Sequence, residues 1–204
     1  RYQQFLVALE HGNADRSIEA DALIQKVMDN RSIAEQYQQI KTNADCKLRV
    51  THHDTKISNV LFDKDGKGLC VIDLDTVMPG HFMSDVGDMM RTYLSPVSEE
   101  EADFSKIEIR ADIFESIVLG YYSEMKTDLT ATEKELFFYA GKFMIYMQAI
   151  RFLTDYLNDD VYYGARYLKH NFIRASNQLV LLEKLIAKEN ELVPLINQIL
   201  STNE

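Results

Sequence analysis

The sequence predicts a mainly α-helical fold carrying one small β-hairpin. Two observations lead there. Apolar residues recur three and four apart along most of the 204 residues, the spacing of one helix face. Against that background stand two short apolar runs, Asn59-Val60-Leu61-Phe62 and Leu69-Cys70-Val71-Ile72, separated by Asp63-Lys64-Asp65-Gly66-Lys67-Gly68. Strand-forming runs about a tip of turn residues read as a hairpin.

Residues 1–44 read as helix throughout. Tyr2, Phe5, Leu6 and Leu9 share one stripe, and Ile18, Ala22, Leu23, Val27 and Met28 a second, behind a polar start at Asp15 and Ser17 able to cap it. His11-Gly12-Asn13 turns between them with His11 in solvent, and a third helix runs from about Ser32 to Lys41. A loop at 42–45 leads to a short strand, Lys47 to Thr51. Beyond the hairpin, residues 76–81 form an irregular connection, and Ser84, Asp85 and Gly87 open a helix to Leu94. On it Arg91 follows Asp88 by three residues, which suits an ion pair. Ser95 to Glu101 is expected to be a loop and an acidic helix start, since acids favour a helix N-terminus.

Helices are expected over Ile107–Met125 and, behind the cap Thr130-Ala131-Thr132-Glu133, over Glu135–Leu157. The second is apolar on nearly every side, so it is buried. Arg151 within it needs company: either Asp155 four residues on, or a substrate hydroxyl. Asn158-Asp159-Asp160 breaks that helix, and Tyr162, Tyr163 and Tyr167 follow, either stacking on a ligand ring or walling the core. Helices over Arg174–Lys188 and Val193–Leu200 close the chain.

The polar chemistry gathers between His52 and Asp75. Asp54, Lys56 and Asn59 precede the first apolar run, at the hairpin end where the second run closes on Asp73. Strand alternation places Val71, Asp73 and Asp75 on one face and Cys70, Ile72 and Leu74 on the other. An Asp, a Lys two residues on and an Asn five residues on are the offsets of a phosphotransferase catalytic loop. There the Asp accepts the proton of the attacking hydroxyl, the Lys offsets charge on the moving phosphoryl group and the Asn holds a metal ion. Asp73 stands where a further Mg²⁺ ligand is needed, and Mg²⁺ takes a few carboxylate or amide oxygens together with phosphates and water. Asp63-Lys64-Asp65-Gly66 lacks the remaining ligands of a calcium loop, so it is read as a turn.

Composition narrows the rest. With 46% apolar and 26% charged residues the chain is ordinary globular protein. A net charge of -10 leaves no basic stripe for nucleic acid. Two cysteines, Cys46 and Cys70, are too few for a disulfide framework. With Cys70 expected in a buried strand, both read as reduced thiols of a cytoplasmic protein. No apolar run is long enough to span a membrane, and the first residues are no signal peptide.

The string His52-x-Asp54-x-Lys56-x-x-Asn59 with its hairpin and Asp73 resembles the catalytic loop of the aminoglycoside phosphotransferase and choline kinase superfamily, which shares the protein-kinase fold. Together with Thr76-Val77-Met78-Pro79-Gly80, Ser84-Asp85-Val86-Gly87-Asp88 and Arg151-Phe152-Leu153-Thr154-Asp155, it is most similar to N-acetylhexosamine 1-kinases over residues 49–178. That resemblance implies transfer of the ATP γ-phosphoryl group, with Mg²⁺, to the anomeric hydroxyl of an N-acetylhexosamine. It implies Asp54 as base with Lys56 beside it, Asn59 and Asp73 as metal ligands, and Asp75 either joining them or supporting them from behind. It also implies Arg151 as a sugar contact and Asp85 as a charge directed at the catalytic loop. Read from the residues alone, Asp85 caps its own helix, a structural role shared by His52, and Tyr163 is the ring of its cluster placed to contact the substrate.

A glycine-rich loop and a strand Lys for the nucleotide phosphates, which kinases carry on a separate β-lobe, are missing from these residues. The chain therefore reads as the C-terminal lobe alone, one domain in three stretches. Residues 1–48 are a helical segment, 49–76 the catalytic loop and metal-binding hairpin, and 77–204 the helical remainder. The expected partners are a nucleotide, a small-molecule substrate and the absent N-terminal lobe, and the piece by itself is expected to be inactive. Rival readings are a kinase of homoserine, choline or an aminoglycoside, and a non-catalytic folding unit. A sulfatase is disfavoured, since neither cysteine nor Ser95-Pro96 opens the sequence it needs.

Overall fold

One helix organises the molecule. In the computed structural model, which describes residues 1–202, α8 (Phe137–Leu157) runs through the centre with α5 (Met83–Tyr93) and α9 (His170–Ala187) as its main neighbours. Phe137, Ala140, Ile145, Tyr146, Ile150 and Leu153 of α8 are all fully buried, as its apolar circumference requires. Around it lie α1 (Tyr2–His11), α2 (Ala14–Glu19), α3 (Asp21–Asp29) and α4 (Ser32–Thr42), with α6 (Ala111–Met125), α7 (Ala131–Lys134) and α10 (Glu189–Thr202) on the other sides. The second predicted helix is two, broken at the buried Ala20. Gly87 lets α5 approach closely, because a Cβ there would meet the Ala140 carbonyl of α8.

Two small antiparallel sheets sit outside this helical body. Strand β1 (Arg49–Thr51) pairs with β4 (Met78–Gly80), Val50 opposite Pro79. Strands β2 (Val60–Phe62) and β3 (Gly68–Val71) form the hairpin, with a register shift between Leu61 and Phe62. Its tip is closed by the Asp63 carboxylate, which accepts from Asp65 N (2.9 Å) and Lys67 N (2.8 Å), and by Gly66 at φ +80°.

Several expectations are corrected. Residues 78–80 are a strand, because β1 supplies them a partner. Cys70 is exposed where a buried strand was expected, because no layer covers either face of the hairpin; Cys46 is buried, and both are free thiols. Glu99 to Glu101 start no helix. Glu99 instead pairs with Arg91 (2.7 Å) and Arg174, and Glu100 with Arg166 (3.1 Å). Residues 107–110 are extended, and α6 begins at Ala111; the Arg110 guanidinium donates to Tyr93 O (2.6 Å). The break after α8 falls where expected, with Asp159 and Asp160 both left-handed. Thr130 and Glu133 close a reciprocal capping box, but on the four-residue α7 and not on the long helix it was expected to cap; α8 starts separately, behind Leu136. No helix among the described residues is long and apolar enough to cross a membrane.

Candidate active site

Strand β1 delivers the chain to an irregular loop, residues 52–56, and a 3-10 turn, Ile57–Asn59, runs straight into β2. This loop has no core of its own, and α5 holds it by hydrogen bonds. Asp85 accepts the backbone N–H of His52 (3.0 Å) and of His53 (2.8 Å). One turn on, Asp88 accepts Thr55 N at 2.8 Å and pairs with Arg91 at 2.9 Å. A turn further, the Tyr93 hydroxyl donates to Thr55 O. Asp85 and Asp88, three residues apart, lie on one face of α5, and the long side chain of Tyr93 reaches the same loop from the last turn, so a single helix fixes it. Asp85 does not cap its own helix; its carboxylate is turned to the loop.

Within the loop, Asp54 Oδ2 accepts from Lys56 Nζ and from Asn59 Nδ2, both at 2.8 Å, and the same Asn59 nitrogen also donates to Asp54 O at 2.9 Å. Burial works to raise the Asp54 pKa, but the hydrogen bonds from Lys56 and Asn59 outweigh it and hold the carboxyl below its usual range. Lys56 is shifted up, first by its bond to Asp54 against partial burial, with Asp73 adding to the field. Both groups are therefore charged near neutral pH.

The segment after the hairpin is stitched to the same loop. His52 Nε2 lies 3.0 Å from Ile72 O, and its Nδ1 accepts Asp54 N at 3.3 Å. A carbonyl only accepts, so the proton sits on Nε2. Ile72 N donates to Asn59 O (2.9 Å) and Thr76 Oγ1 to His52 O (2.6 Å). Asp73, next to Ile72, is thereby tied to the end of the strand pair that carries Asn59.

The expected alternation does not extend to Asp73 and Asp75. Strand β3 ends at Val71, Asp73 takes a left-handed conformation (φ 61°), and Asp75 lies in a 3-10 turn, Leu74–Thr76. Both carboxylates are exposed, and hydrogen bonding engages neither within the described residues.

The donor set suits a magnesium ion carried by a phosphate chain. With Asn59 Nδ2 committed to Asp54, the amide oxygen of the buried Asn59 faces away from those bonds and has no hydrogen-bond partner among the described residues. Asn59 Oδ1 and the Asp73 carboxylate are thus two oxygens available on neighbouring backbone. Among the described residues no three His, Cys, Asp or Glu side chains gather into an all-protein cage. Mg²⁺ seldom uses one, keeping substrate phosphates and water as its other ligands.

Arg151 and Tyr163 come together elsewhere. The guanidinium lies 5.4 Å from the Tyr163 ring centroid, and both line a cavity of about 430 Å³ that also includes Gln4, Thr154 and Asn158. Lys56 lines a different cavity, of about 200 Å³. An Arg151–Asp155 ion pair is not formed. Asp155 instead accepts Tyr162 N (2.7 Å), Tyr163 N (2.9 Å) and Asn171 Nδ2 (3.0 Å), closing the loop after α8. Tyr163 packs on Phe152 with centroids 5.2 Å apart, while Tyr162 is exposed. The sequence reading missed Thr55, Tyr93 and the loop-holding role of Asp88. The three-residue spacing of Asp85 and Asp88 was the available signal, since two acids on one face of a buried helix need donors.

A carboxylate bonded to a lysine and an asparagine, with two carboxylate or amide oxygens left over nearby, is an arrangement compatible with phosphoryl transfer. The comparison with known families agrees: residues 4–108 match the phosphotransferase enzyme family, APH, and the chain belongs to it. The match runs from within α1 through α5 and takes in the whole loop and hairpin between β1 and β4.

Proposed function

We propose that these residues form the helical lobe of a small-molecule kinase that moves the ATP γ-phosphoryl group to a hydroxyl, with the anomeric hydroxyl of an N-acetylhexosamine as first candidate. The observation that carries the reading is the Asp54 carboxylate, gripped by Lys56 and Asn59 and facing no further protein donor. The sugar assignment is supported by the resemblance of the Thr76–Gly80 and Arg151–Asp155 segments.

The mechanism follows from the charges. Asp54, with its lowered pKa, orients the acceptor hydroxyl through a hydrogen bond. It takes the proton only as the new O–P bond forms, since a weak base gains little by pulling early. Lys56 keeps its proton and offsets negative charge on the transferring group. In a loose transition state such positioning and charge stabilisation supply most of the catalysis. Asn59 and Asp73 would hold Mg²⁺, which would neutralise charge on the nucleotide phosphates. Asp75, two residues beyond Asp73 in the 3-10 turn, assists it in this reading.

A second lobe is part of this proposal. The hairpin and its neighbours expose a run of apolar side chains, Leu69 at 63%, Val71 at 53% and Leu74 at 61%, the kind of surface that marks an interaction site. A nucleotide-binding lobe covering it would bring the phosphates over Asn59 and Asp73.

Two cavities compete for the acceptor. Lys56, bonded to the base, lines the smaller, which favours it for the reacting end. Arg151 and Tyr163 as sugar contacts belong to the second reading, in which the sugar enters the larger cavity. A panel of N-acetylglucosamine, N-acetylgalactosamine, homoserine, choline and an aminoglycoside with γ-labelled ATP tests the proposal in the complete protein. Label is expected on an N-acetylhexosamine, and Asp54→Asn is expected to lower kcat by about 10²–10⁴. Full turnover in Asp54→Asn would remove the mechanism, and label on another acceptor alone would remove the sugar.

A further inference from the structure

Between the base and its lysine stands Thr55, and α5 engages every polar group it carries. Its N–H donates to Asp88 Oδ2 at 2.8 Å, and its carbonyl accepts the Tyr93 hydroxyl. Its own hydroxyl lies 2.9 Å from Asp85 O and 3.3 Å from Asp88 Oδ2. A threonine hydroxyl has one proton to give, and the nearer Asp85 carbonyl receives it. All three partners belong to α5, Met83–Tyr93. The helix reaches His52 and His53 through their amides alone, so Thr55 is the loop residue it holds most completely.

Planar peptide groups make this hold consequential, because two dihedrals at one residue then set how its neighbours face each other. The Asp54–Thr55 peptide is gripped at both ends: Asp54 O accepts Asn59 Nδ2 at 2.9 Å, and Thr55 N donates to Asp88. The Thr55–Lys56 peptide is gripped at its carbonyl by Tyr93. With both planes held, φ and ψ of Thr55 are held, and so is the bearing of Asp54 relative to Lys56. The hydroxyl adds a third point, because its bond to Asp85 O fixes χ1, and the χ1 of a β-branched residue is coupled to its backbone. The Asp54–Lys56 contact of 2.8 Å is the outcome of that geometry.

We infer that Thr55 is a positioning residue for phosphoryl transfer: its hydroxyl, together with the Tyr93 hydroxyl on its carbonyl, sets the Asp54 carboxylate and the Lys56 ammonium in their working relation. Thr55 acts through those two groups and needs no contact with the reacting atoms. The inference rests on the kinase reading above and deepens it.

The test uses the complete protein, γ-labelled ATP and the acceptor from the panel above that takes up label. Thr55→Val keeps the branched shape and loses the hydroxyl, Thr55→Ser keeps the hydroxyl, and Tyr93→Phe frees the carbonyl. Rates are taken per folded protein, below the melting temperature of each variant. A misplacement of about 1 Å can cost about a hundredfold in rate. Thr55→Val is therefore expected to lower kcat roughly tenfold to a hundredfold, with KM for ATP and for the acceptor unchanged, the pattern of a loss felt only in the transition state. Thr55→Ser is expected to stay near the wild-type kcat. Tyr93→Phe is expected to lower kcat as well, and the double variant with Thr55→Val to lose less than the product of the two, since both act on one residue. Wild-type kcat in Thr55→Val or in Tyr93→Phe overturns the inference; where Thr55→Val does not fold, Tyr93→Phe makes the decision. A Thr55→Ser protein as slow as Thr55→Val also overturns it, because the hydroxyl is then not the cause. A rise in either KM in place of the fall in kcat makes Thr55 a binding residue and overturns it too. No transfer by the wild type to any acceptor removes the kinase reading and this inference with it, whereas full transfer by both wild type and Thr55→Val removes this inference alone.

Discussion

The helical body and the catalytic segment are held together by different forces. In the body, α8 buries aromatic and aliphatic side chains on almost every side, so burial of apolar surface supports it. From Leu48 to Met78 the apolar side chains are largely in solvent, and the segment takes its shape from hydrogen bonds to Asp85, Asp88 and Tyr93. Loss of one side chain in the body opens a cavity, whereas loss of one in the segment strands a donor: there the half-buried Asp85 and the buried Asp88 each carry loop amides that no other group accepts among the described residues. The family match ends at residue 108, so it includes the whole segment with α5, while α8 and α9 lie beyond it.

The largest effect that would break this comparison is expected at Asp88. It is buried, pairs with Arg91 and carries the Thr55 amide. Asp88→Ala leaves Arg91 with Glu99 alone and the amide with no acceptor. Removing one member of a buried pair costs about 3–5 kcal/mol. Urea unfolding of the chain is expected to show that loss, and hydrogen exchange to show Thr55 and its neighbours opening first. Unchanged stability would mean that the segment is held by something other than α5.

A smaller effect, and one set by pH, is expected where β1 joins the body. Glu133 is buried, and burial works to raise its pKa. Hydrogen bonds from Arg49 and from the amides of Thr130 and Lys47 outweigh that and hold the carboxyl low. A carboxyl depressed in the folded state stabilises the fold above its unfolded value, and the contribution is lost as pH falls through the folded one. Thermal stability is therefore expected to drop as pH goes below the ordinary glutamate value of about 4.3. Asp54, also depressed, acts in the same direction. Glu133→Gln is expected to be about 2 kcal/mol less stable at neutral pH, the scale of a charged hydrogen bond, and to lose less on acidification. Parallel pH profiles for the two proteins would remove Glu133 as the source.

The contrast also accounts for what could be read from the sequence. Local rules were enough for α8, for the break at Asn158–Asp160 and for the Thr130–Glu133 box, because each is decided by residues within a turn or two. The offsets of Asp54, Lys56 and Asn59 were legible because the loop chemistry is written in consecutive positions. Alternation failed at Asp73, whose left-handed backbone accompanies the bond from His52 to Ile72 O and the bond from Ile72 N to Asn59 O, partners a dozen or more residues away. Burial of Cys70 failed because periodicity describes a strand and says nothing of what covers it.

The smallest effect sharpens the comparison most. Leu69 on β3 is 63% exposed. If the hairpin adds nothing to the core of these residues, Leu69→Ser is expected to shift the unfolding free energy of the chain by no more than about 0.5 kcal/mol, as surface changes do. Leu153→Ala in α8, fully buried, is expected to cost about 2–5 kcal/mol. A loss at Leu69 comparable to that at Leu153 would place the hairpin inside the folding core and end the distinction. If instead Leu69→Ser is neutral for this chain yet weakens ATP binding in the complete protein, the exposed leucine belongs to the covering lobe's interface. The apolar residues of the segment would then be conserved in purpose for a partner surface, with the body's own stability resting on α8 and its neighbours.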